Sequence, residues 1–300
     1  MNGRPSVRVI CVGVATLDQI FRIDRLPVPP AKIQAQEFIV TGGGMAANAA
    51  VTVARLGGRA AWWGRLGDDG VGDQILRLLE AEGVAIRVVR LPGARSKTAA
   101  ILVDAAGERL VVSAPAQGYP PDTGWLPLTE VAGADAVHAD SRWRTGALAL
   151  FDAAAATGKP SVFDGDSGDP EEILRLSRAA THPFLSEPML ARYDPNPETA
   201  VRRIFGGRNV AAGVTLGGAG VLWFDGSTLH RSPAFKVPVV DTLAAGDTWH
   251  GALALALGEG QSVDAAIRFA TAAAALKCTR FGGRVGIPSR DELDAFLAGH

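Results

Sequence analysis

Short apolar runs alternate with longer stretches of helical spacing over most of the chain. Residues 7–14 are apolar and lead to Asp18, which reads as a buried strand with a polar residue just past its C-terminal end. Further strands are predicted at 60–63, 136–139, 161–164, 210–215 and 220–224. Helices are predicted at 45–56, 71–82, 147–156, 246–257, 263–277 and 292–297, the first of them stopped by Gly57-Gly58. This alternation predicts a mainly parallel sheet with helices on both faces. Two stretches fall outside the rhythm. In 19–41, Phe21, Ile23 and Leu26 alternate with polar residues, prolines 27, 29 and 30 interrupt, and alternation resumes over 33–40. These read as two exposed-edge strands. Residues 99–103 and 109–113 form a hairpin around Ala105-Ala106-Gly107, and the two pieces together make a small second sheet.

Composition narrows the class without naming a chemistry. With 300 residues, 47% hydrophobic and 20% charged, the chain can bury a sizeable core as one α/β body. Thirty Lys and Arg against 31 Asp and Glu leave a net charge of −1, which argues against nucleic-acid binding through bulk charge. No apolar run of about 18 residues avoids charge, Gly and Pro, so no membrane span is expected. The N-terminus has no signal-type cleavage pattern, and Cys11 and Cys278 both lie in apolar segments. Buried free thiols and a cytoplasmic location are the expectation.

The most informative segment is Val239-Val240-Asp241-Thr242-Leu243-Ala244-Ala245-Gly246-Asp247-Thr248-Trp249-His250. Small residues at a helix start leave backbone N–H groups uncovered, and these with the helix dipole favour an anion. An Asp among them can take a proton from a hydroxyl while the N–H groups hold a transferring phosphoryl group. The alternative is that Asp247 is an N-terminal cap with small neighbours for close packing. A second segment, Thr41-Gly42-Gly43-Gly44-Met45-Ala46-Ala47-Asn48, allows close backbone approach to a ligand and puts Asn48 one helical turn beyond Gly44. Its Gly42-x-Gly44-x-x-Ala47 spacing, with Asp68 further on, fits the loose dinucleotide pattern, but the intervening edge strands put it in the wrong place. A third, Thr215-Leu216-Gly217-Gly218-Ala219-Gly220, is either a nucleotide-phosphate loop or a β-turn. No Walker-type loop is present.

Together these segments resemble the ribokinase/PfkB family of sugar kinases, over nearly the whole chain and in matching order. The resemblance implies a three-layer α/β/α body of residues 1–17, 42–96 and 114–300 and a discontinuous β lid of 18–41 and 97–113. It implies ATP with Mg²⁺ as donor and a sugar hydroxyl as acceptor. Asp247 would be the base, with the N–H groups of Ala244, Ala245 and Gly246 as the anion hole. Asp18, Gly43, Gly44 and Asn48 would hold the sugar; Thr215, Gly217 and Gly220 would line the nucleotide phosphates; and Ala274, Lys277 and Gly282 would lie near the adenine. A monovalent cation such as K⁺ beside the 241–243 loop is common in the family, and lids of this kind pair into homodimers, which fits the edge strands. The family's Asn-x-x-Glu motif appears here as Ser186-Glu187-Pro188-Met189, so the Mg²⁺ arrangement departs from the pattern. Glu187, Asp164 and Asp166 are the candidate metal-side carboxylates; for the two aspartates the alternative is a solvated loop.

Several segments are similar to the 6-deoxy-6-sulfofructose kinase branch: Ser141-Arg142-Trp143, Asp164-Gly165-Asp166, and Leu276-Lys277-Cys278-Thr279-Arg280 with Gly282-Gly283-Arg284. That likeness implies that Lys32 and Arg142 face an anionic sugar substituent, with Ser113 where the branch has an Asn. Other conspicuous residues receive structural readings. At least one of Trp62 and Trp63 is core, His138 is a satisfied buried histidine, and His250 packs in its helix or braces the catalytic turn.

Overall fold

A computed structural model describes residues 6–26, 30 and 32–300. In chain order the strands are β1 (Arg8–Val12), β2 (Thr16–Arg22), β3 (Glu37–Gly43), β4 (Arg59–Gly67), β5 (Ala85–Leu91), β6 (Thr98–Val103), β7 (Arg109–Ala114), β8 (Ala136–Asp140), β9 (Ser161–Gly165), β10 (His182–Ser186), β11 (Ala212–Thr215), β12 (Val221–Phe224) and β13 (Leu229–Ser232). The α-helices are α1 (Met45–Arg55), α2 (Gly70–Glu80), α3 (Arg144–Ala156), α4 (Pro170–Ala179), α5 (Glu187–Leu190), α6 (Pro197–Ile204), α7 (Ala245–Gly258), α8 (Val263–Cys278) and α9 (Arg290–Ala298).

The large sheet runs β13-β12-β11-β10-β9-β8-β1-β4-β5. It is parallel from β5 to β11, and β12 and β13 close one edge antiparallel. Successive side chains of a strand point to opposite faces, and the core divides accordingly. Val9, Cys11 and Trp62 join residues of α1, α7 and α8 on one face, whereas Ile10, Val12 and Trp63 join residues of α3, α4 and α6 on the other. Both tryptophans are therefore core. The small sheet has the order β3-β2-β6-β7. Its inner face carries Ile20, Ala99, Ile101 and Val103 against Leu243 and Phe281.

Departures from the sequence reading have local causes. Strand β2 is interior, paired with β3 and β6, so only one of the two strands expected at exposed edges is an edge. The alternation of β5 is blurred by half-buried positions throughout. Strand β10 is short and contains Pro183, yet lies between β9 and β11; Pro argues against a central strand on sequence grounds. Helix α4 is announced at its start, by Pro170, by Glu171 and Glu172 in its first turn, and by its cap, Asp169, which accepts from the N–H groups of those two glutamates.

Helices α1 and α7 meet through small residues. A Cβ added to Gly251 would sit 2.5 Å from the carbonyl oxygen of Ala49 and 2.8 Å from its Cα. Overpacking of this kind costs about 1–3 kcal/mol, against roughly 0.5–1 kcal/mol gained by replacing a mid-helix glycine. Gly251→Ala is therefore expected to lower the thermal unfolding midpoint by a few degrees. An unchanged or raised midpoint would show that the helices separate freely.

Candidate active site

The chain winds outward from β1 in both directions, to β4 and β5 on one side and to β8 through β11 on the other. Open α/β sheets bind ligands beyond the carboxyl ends of strands at such a switch. Val14, Arg142 and Asp166, just after β1, β8 and β9, line a cleft of about 270 Å³ there, roofed by Ala99, Ile101, Val111 and Ser113 of the small sheet. Asp18, Gly44, Asn48, Lys97 and Asp247 complete its polar surface.

Asp140, the last residue of β8, organises one wall. Its buried carboxylate accepts the N–H groups of Val14 (2.8 Å), Ala46 (3.1 Å) and Arg142 (2.8 Å). Helix α1 begins at Gly44, which has no side chain to cap it, so Asp140 supplies the capping carboxylate from another strand. Gly44 has φ +93°, and a Cβ there would lie 2.6 Å from the carbonyl oxygen of Val14. Only glycine fits this approach.

Asp247 lies in the first turn of α7. The amide nitrogen of Asn48 donates to its Oδ2 at 2.6 Å. The Arg284 guanidinium, almost fully buried, donates to Asn48 Oδ1 (2.8 Å) and to the carbonyl of Gly43 (3.2 Å). Since Arg can only donate, it fixes which end of the Asn48 amide faces Asp247. Burial pushes the Asp247 carboxyl up to about 6; the Asn48 hydrogen bond opposes that rise, and the charge of Asp166 adds to it. Beneath Asp247, burial and the Asp247 charge hold the Asp164 carboxyl well above the usual carboxylate range. His250 Nδ1 lies 3.4 Å from Asp164 Oδ2 and 2.9 Å from the Gly246 carbonyl, and Nε2 lies 3.0 Å from the Phe184 carbonyl. His250 thus braces the turn. His138, expected to be satisfied, has no partner for either ring nitrogen among the described residues.

The start of α7 is shaped by the loop before it. Ala244 is the one non-glycine residue with positive φ among the described residues (φ 63°, ψ 12°), a conformation costing about 1–2 kcal/mol. It turns the chain so that the N–H groups of Gly246 and Asp247 meet no acceptor among the described residues, while that of Ala245 closes a turn onto Thr242 (3.2 Å). Ala245 and Gly246 face a second cleft of about 230 Å³, also lined by Thr215, Gly217, Gly220, Ala274 and Cys278. A Cβ on Gly246 would meet nothing within 4 Å, so its face is open to a ligand.

Most of the residues singled out from sequence converge on these two clefts; some do not. Lys32 is exposed and lines neither, and Lys97 stands in the acceptor cleft beside Arg142 instead. Gly43 is packed behind the cleft, where a Cβ would lie 1.9 Å from an Asp18 carboxylate oxygen. Lys277 and Gly282 do not reach the second cleft: both bond to Asp241, and Cys278 takes the lining position. Asp164 is buried under the site, Asp166 opens into the acceptor cleft, and Glu187 is exposed at the start of α5. Lys97, Asp140 and Arg284 received no role from sequence. Lys97 has one visible signal, its place immediately before the small-sheet hairpin; the partners of Asp140 and Arg284 lie far away in the chain.

A carboxylate between two clefts, beside uncovered N–H donors, is the layout of an enzyme that moves an anionic group from one bound molecule to another. The chain belongs to the pfkB family of carbohydrate kinases, which it matches over residues 7–290. It is 32% identical to an ATP-dependent ribose-1-phosphate kinase of Halopiger xanaduensis, over 97% of this chain and 98% of that one. A solved structure from Agrobacterium tumefaciens superposes with a TM-score of 0.90 at 39% identity, covering 98% of both chains. Ribokinase from Arabidopsis thaliana, solved with ribose and ATP, gives 0.82 at 26% identity, over 97% of this chain and 98% of that one. The protein is accordingly a carbohydrate kinase, a phosphotransferase.

Because the Asn48 amide lowers the Asp247 pKa, Asn48→Ala is expected to raise it by about one pH unit or more. A carbon-detected NMR titration of the Asp247 carboxyl measures this. An unchanged midpoint would mean that the 2.6 Å contact does not persist in solution.

Proposed function

We propose that the protein transfers the γ-phosphoryl group of MgATP to a hydroxyl of an anionic sugar, with Asp247 as general base. The observation that carries this reading is that one helix start closes both clefts, with Asp247 on the acceptor side and Ala245 and Gly246 on the other. Asp18 and Asn48 provide the hydroxyl-binding groups of the acceptor cleft, and ATP lies along the 215–220 turn with its adenine toward Ala274. Asp247 takes the hydroxyl proton as the γ-phosphoryl passes in line, and the N–H groups at the start of α7 receive the developing charge. Among the described residues no group of three or more His, Cys, Asp or Glu could hold a metal. That donor set fits Mg²⁺ carried by the nucleotide, which keeps its waters and needs only one or two carboxylates. Asp166 and Glu187, just beyond β9 and β10, would hold it. Bound with ATP, Mg²⁺ neutralises phosphate charge.

The anionic acceptor rests on Lys97 and Arg142. Both line the acceptor cleft and an adjoining chamber of about 300 Å³ that also holds Arg65, Tyr119 and Trp143. Arg65 lies 4.2 Å above the Trp143 ring, and burial lowers its pKa to about 10. Burial and the Arg142 charge lower the Lys97 pKa. Among the described residues neither Lys97 nor Arg65 has a carboxylate at ion-pair distance, and Arg142 has only Asp166 at 3.7 Å. Cations with little or no carboxylate pairing at the mouth of a sugar cleft favour a phosphate, sulfonate or carboxylate. A ketose such as 6-deoxy-6-sulfofructose fits, with Ser113 nearby, and the Halopiger relative is named for a phosphorylated sugar.

We also infer a homodimer through the small sheet. Its outer face exposes Phe38, Val40, Leu110 and Val112, of which Val112 is 62% exposed. Light scattering should give twice the chain mass, and Val112→Asp should give a monomer. A monomeric parent protein would end this reading.

Four kinetic outcomes test the chemistry. ADP release with MgATP should depend on an anionic sugar; turnover only with neutral sugars would keep the kinase and discard the clamp, and ATP binding with no acceptor-dependent turnover would point to a non-catalytic binding protein. Asp247→Asn should abolish turnover and leave ATP affinity nearly unchanged. In the parent enzyme kcat/KM should fall tenfold per pH unit below about 6, as the proton returns to Asp247 and removes the base. Lys97→Ala and Arg142→Ala should each raise KM for the anionic sugar about ten- to a hundredfold and much less for a neutral one; equal effects on both sugars would sink the clamp.

A further inference from the structure

Lys277 is fully buried in the last turn of α8 and lines neither cleft. Its ammonium donates to the backbone carbonyl of Asp241 at 2.8 Å and lies 3.3 Å from Asp241 Oδ2. The pair has no contact with solvent, the side chains being 0% and 1% exposed. Burying two charges is expensive, and an apolar side chain of similar volume often does as well for stability. The charge at Lys277 therefore calls for a reason other than packing.

The reason is visible in what Asp241 holds. Its carboxylate accepts the N–H groups of Leu243 (2.7 Å), Gly282 (3.0 Å) and Gly283 (3.0 Å). The N–H groups of Val240 and Asp241 both reach the carbonyl of Cys278. These bonds tie residues 240–243 to the end of α8, just before the helix start that leaves Gly246 and Asp247 uncovered. From the small sheet, Arg109 donates to the Thr242 hydroxyl. A carboxylate oxygen and a backbone carbonyl of one residue thus converge on a single point, where a hard monovalent cation would find its oxygens. That point is occupied by the Lys277 ammonium. The residues present do not fit K⁺ beside this loop.

We propose that Lys277 is a built-in cation: its ammonium replaces a monovalent metal ion at Asp241, holds the loop that opens the anion-binding helix start, and makes the enzyme indifferent to K⁺. As a positioning residue it acts through the Asp241 loop and touches no substrate. The catalytic half of this statement rests on the kinase reading above; the cation half does not, because it is also read by thermal unfolding without substrate.

The test compares KCl, ammonium chloride, sodium chloride and choline chloride at equal ionic strength, on the full chain. The parent protein should show the same turnover and the same unfolding midpoint in all four. Lys277→Ala opens the space and leaves Asp241 unpaired. It should lose about a hundredfold or more in turnover in choline chloride and regain both turnover and unfolding midpoint in K⁺ or ammonium. Lys277→Met fills the space without charge and should stay impaired in every salt. Activation of the parent protein by K⁺ over choline overturns the proposal. So does parent-like turnover in Lys277→Met, or a Lys277→Ala midpoint that no small cation raises. If Lys277→Ala fails to fold in choline chloride, folding on addition of K⁺ or ammonium supports the proposal, and failure in every salt overturns it. Were no acceptor found, the midpoints alone would decide the cation site, so loss of the kinase reading would not be mistaken for loss of this one.

Discussion

The site depends on how closely α1 and α7 can approach. Buried Ala46, Ala47, Ala49 and Ala50 on α1 face a helix carrying Gly251, Ala252 and Ala254, and Gly251 leaves room for the Ala49 backbone itself. The 2.6 Å contact between Asn48 and Asp247 exists only at that separation. A shift of about 1 Å between the helices takes a hydrogen bond of this length past its useful range. Arg284 then reaches Asn48 from near the C-terminus. Residues from three distant parts of the chain share one hydrogen-bonded line because small side chains let two helices touch.

The buried charges divide by how many hydrogen bonds they receive. The Asp140 carboxylate takes three backbone N–H groups. That of Asp241 takes three and an ammonium besides. These two fasten loops to helix ends. Asp247 receives one side-chain amide, faces a cleft, and has its pKa raised to about 6. A carboxylate supplied with few donors is poorly compensated for burial, which raises the pKa of Asp247 as it raises that of Asp164 beneath it, but of these two only Asp247 lines a cleft where a ligand can reach it. Asp140 is also pushed up by burial, but its oxygens are committed to backbone donors and have no opening to a ligand.

Much of the frame was legible in sequence because periodicity and glycine placement are local. Strand β1, helices α1, α7 and α8 and the hairpin of β6 and β7 follow from alternation and stop signals, and the turn before Asp247 from its small residues. What sequence missed is non-local. The short β10 was hidden by Pro183, and β5 by its half-buried positions. Gly44, Asn48 and Asp247 line the acceptor cleft because each sits at or near the start of a helix that the pattern marks. Arg142 also lines the cleft, but Lys32 does not, because nothing in a local pattern tells which way a long side chain points. Lys32 lies in the connection between β2 and β3 and Lys97 immediately before β6, and only the fold puts Lys97 over the cleft.

Lys97, Arg142 and Lys277 show how burial and pairing assign different work to the same charge. Lys97 and Arg142 are partly exposed, and among the described residues the one carboxylate at ion-pair distance from either side chain is Asp166 at 3.7 Å. Their charge is available to a ligand, and the water they lose on binding is repaid by the ligand's own anion. Lys277 is buried and committed, with two oxygens of Asp241 within 3.3 Å. Its charge is not available to a ligand and can act only on the backbone it holds. Under the proposals above, a cation in the cleft would set which sugar is accepted, whereas a cation beneath the loop would set whether the phosphoryl group finds its donors in place. Selectivity and catalytic competence would then be able to change independently, because the proposals assign them to different side chains.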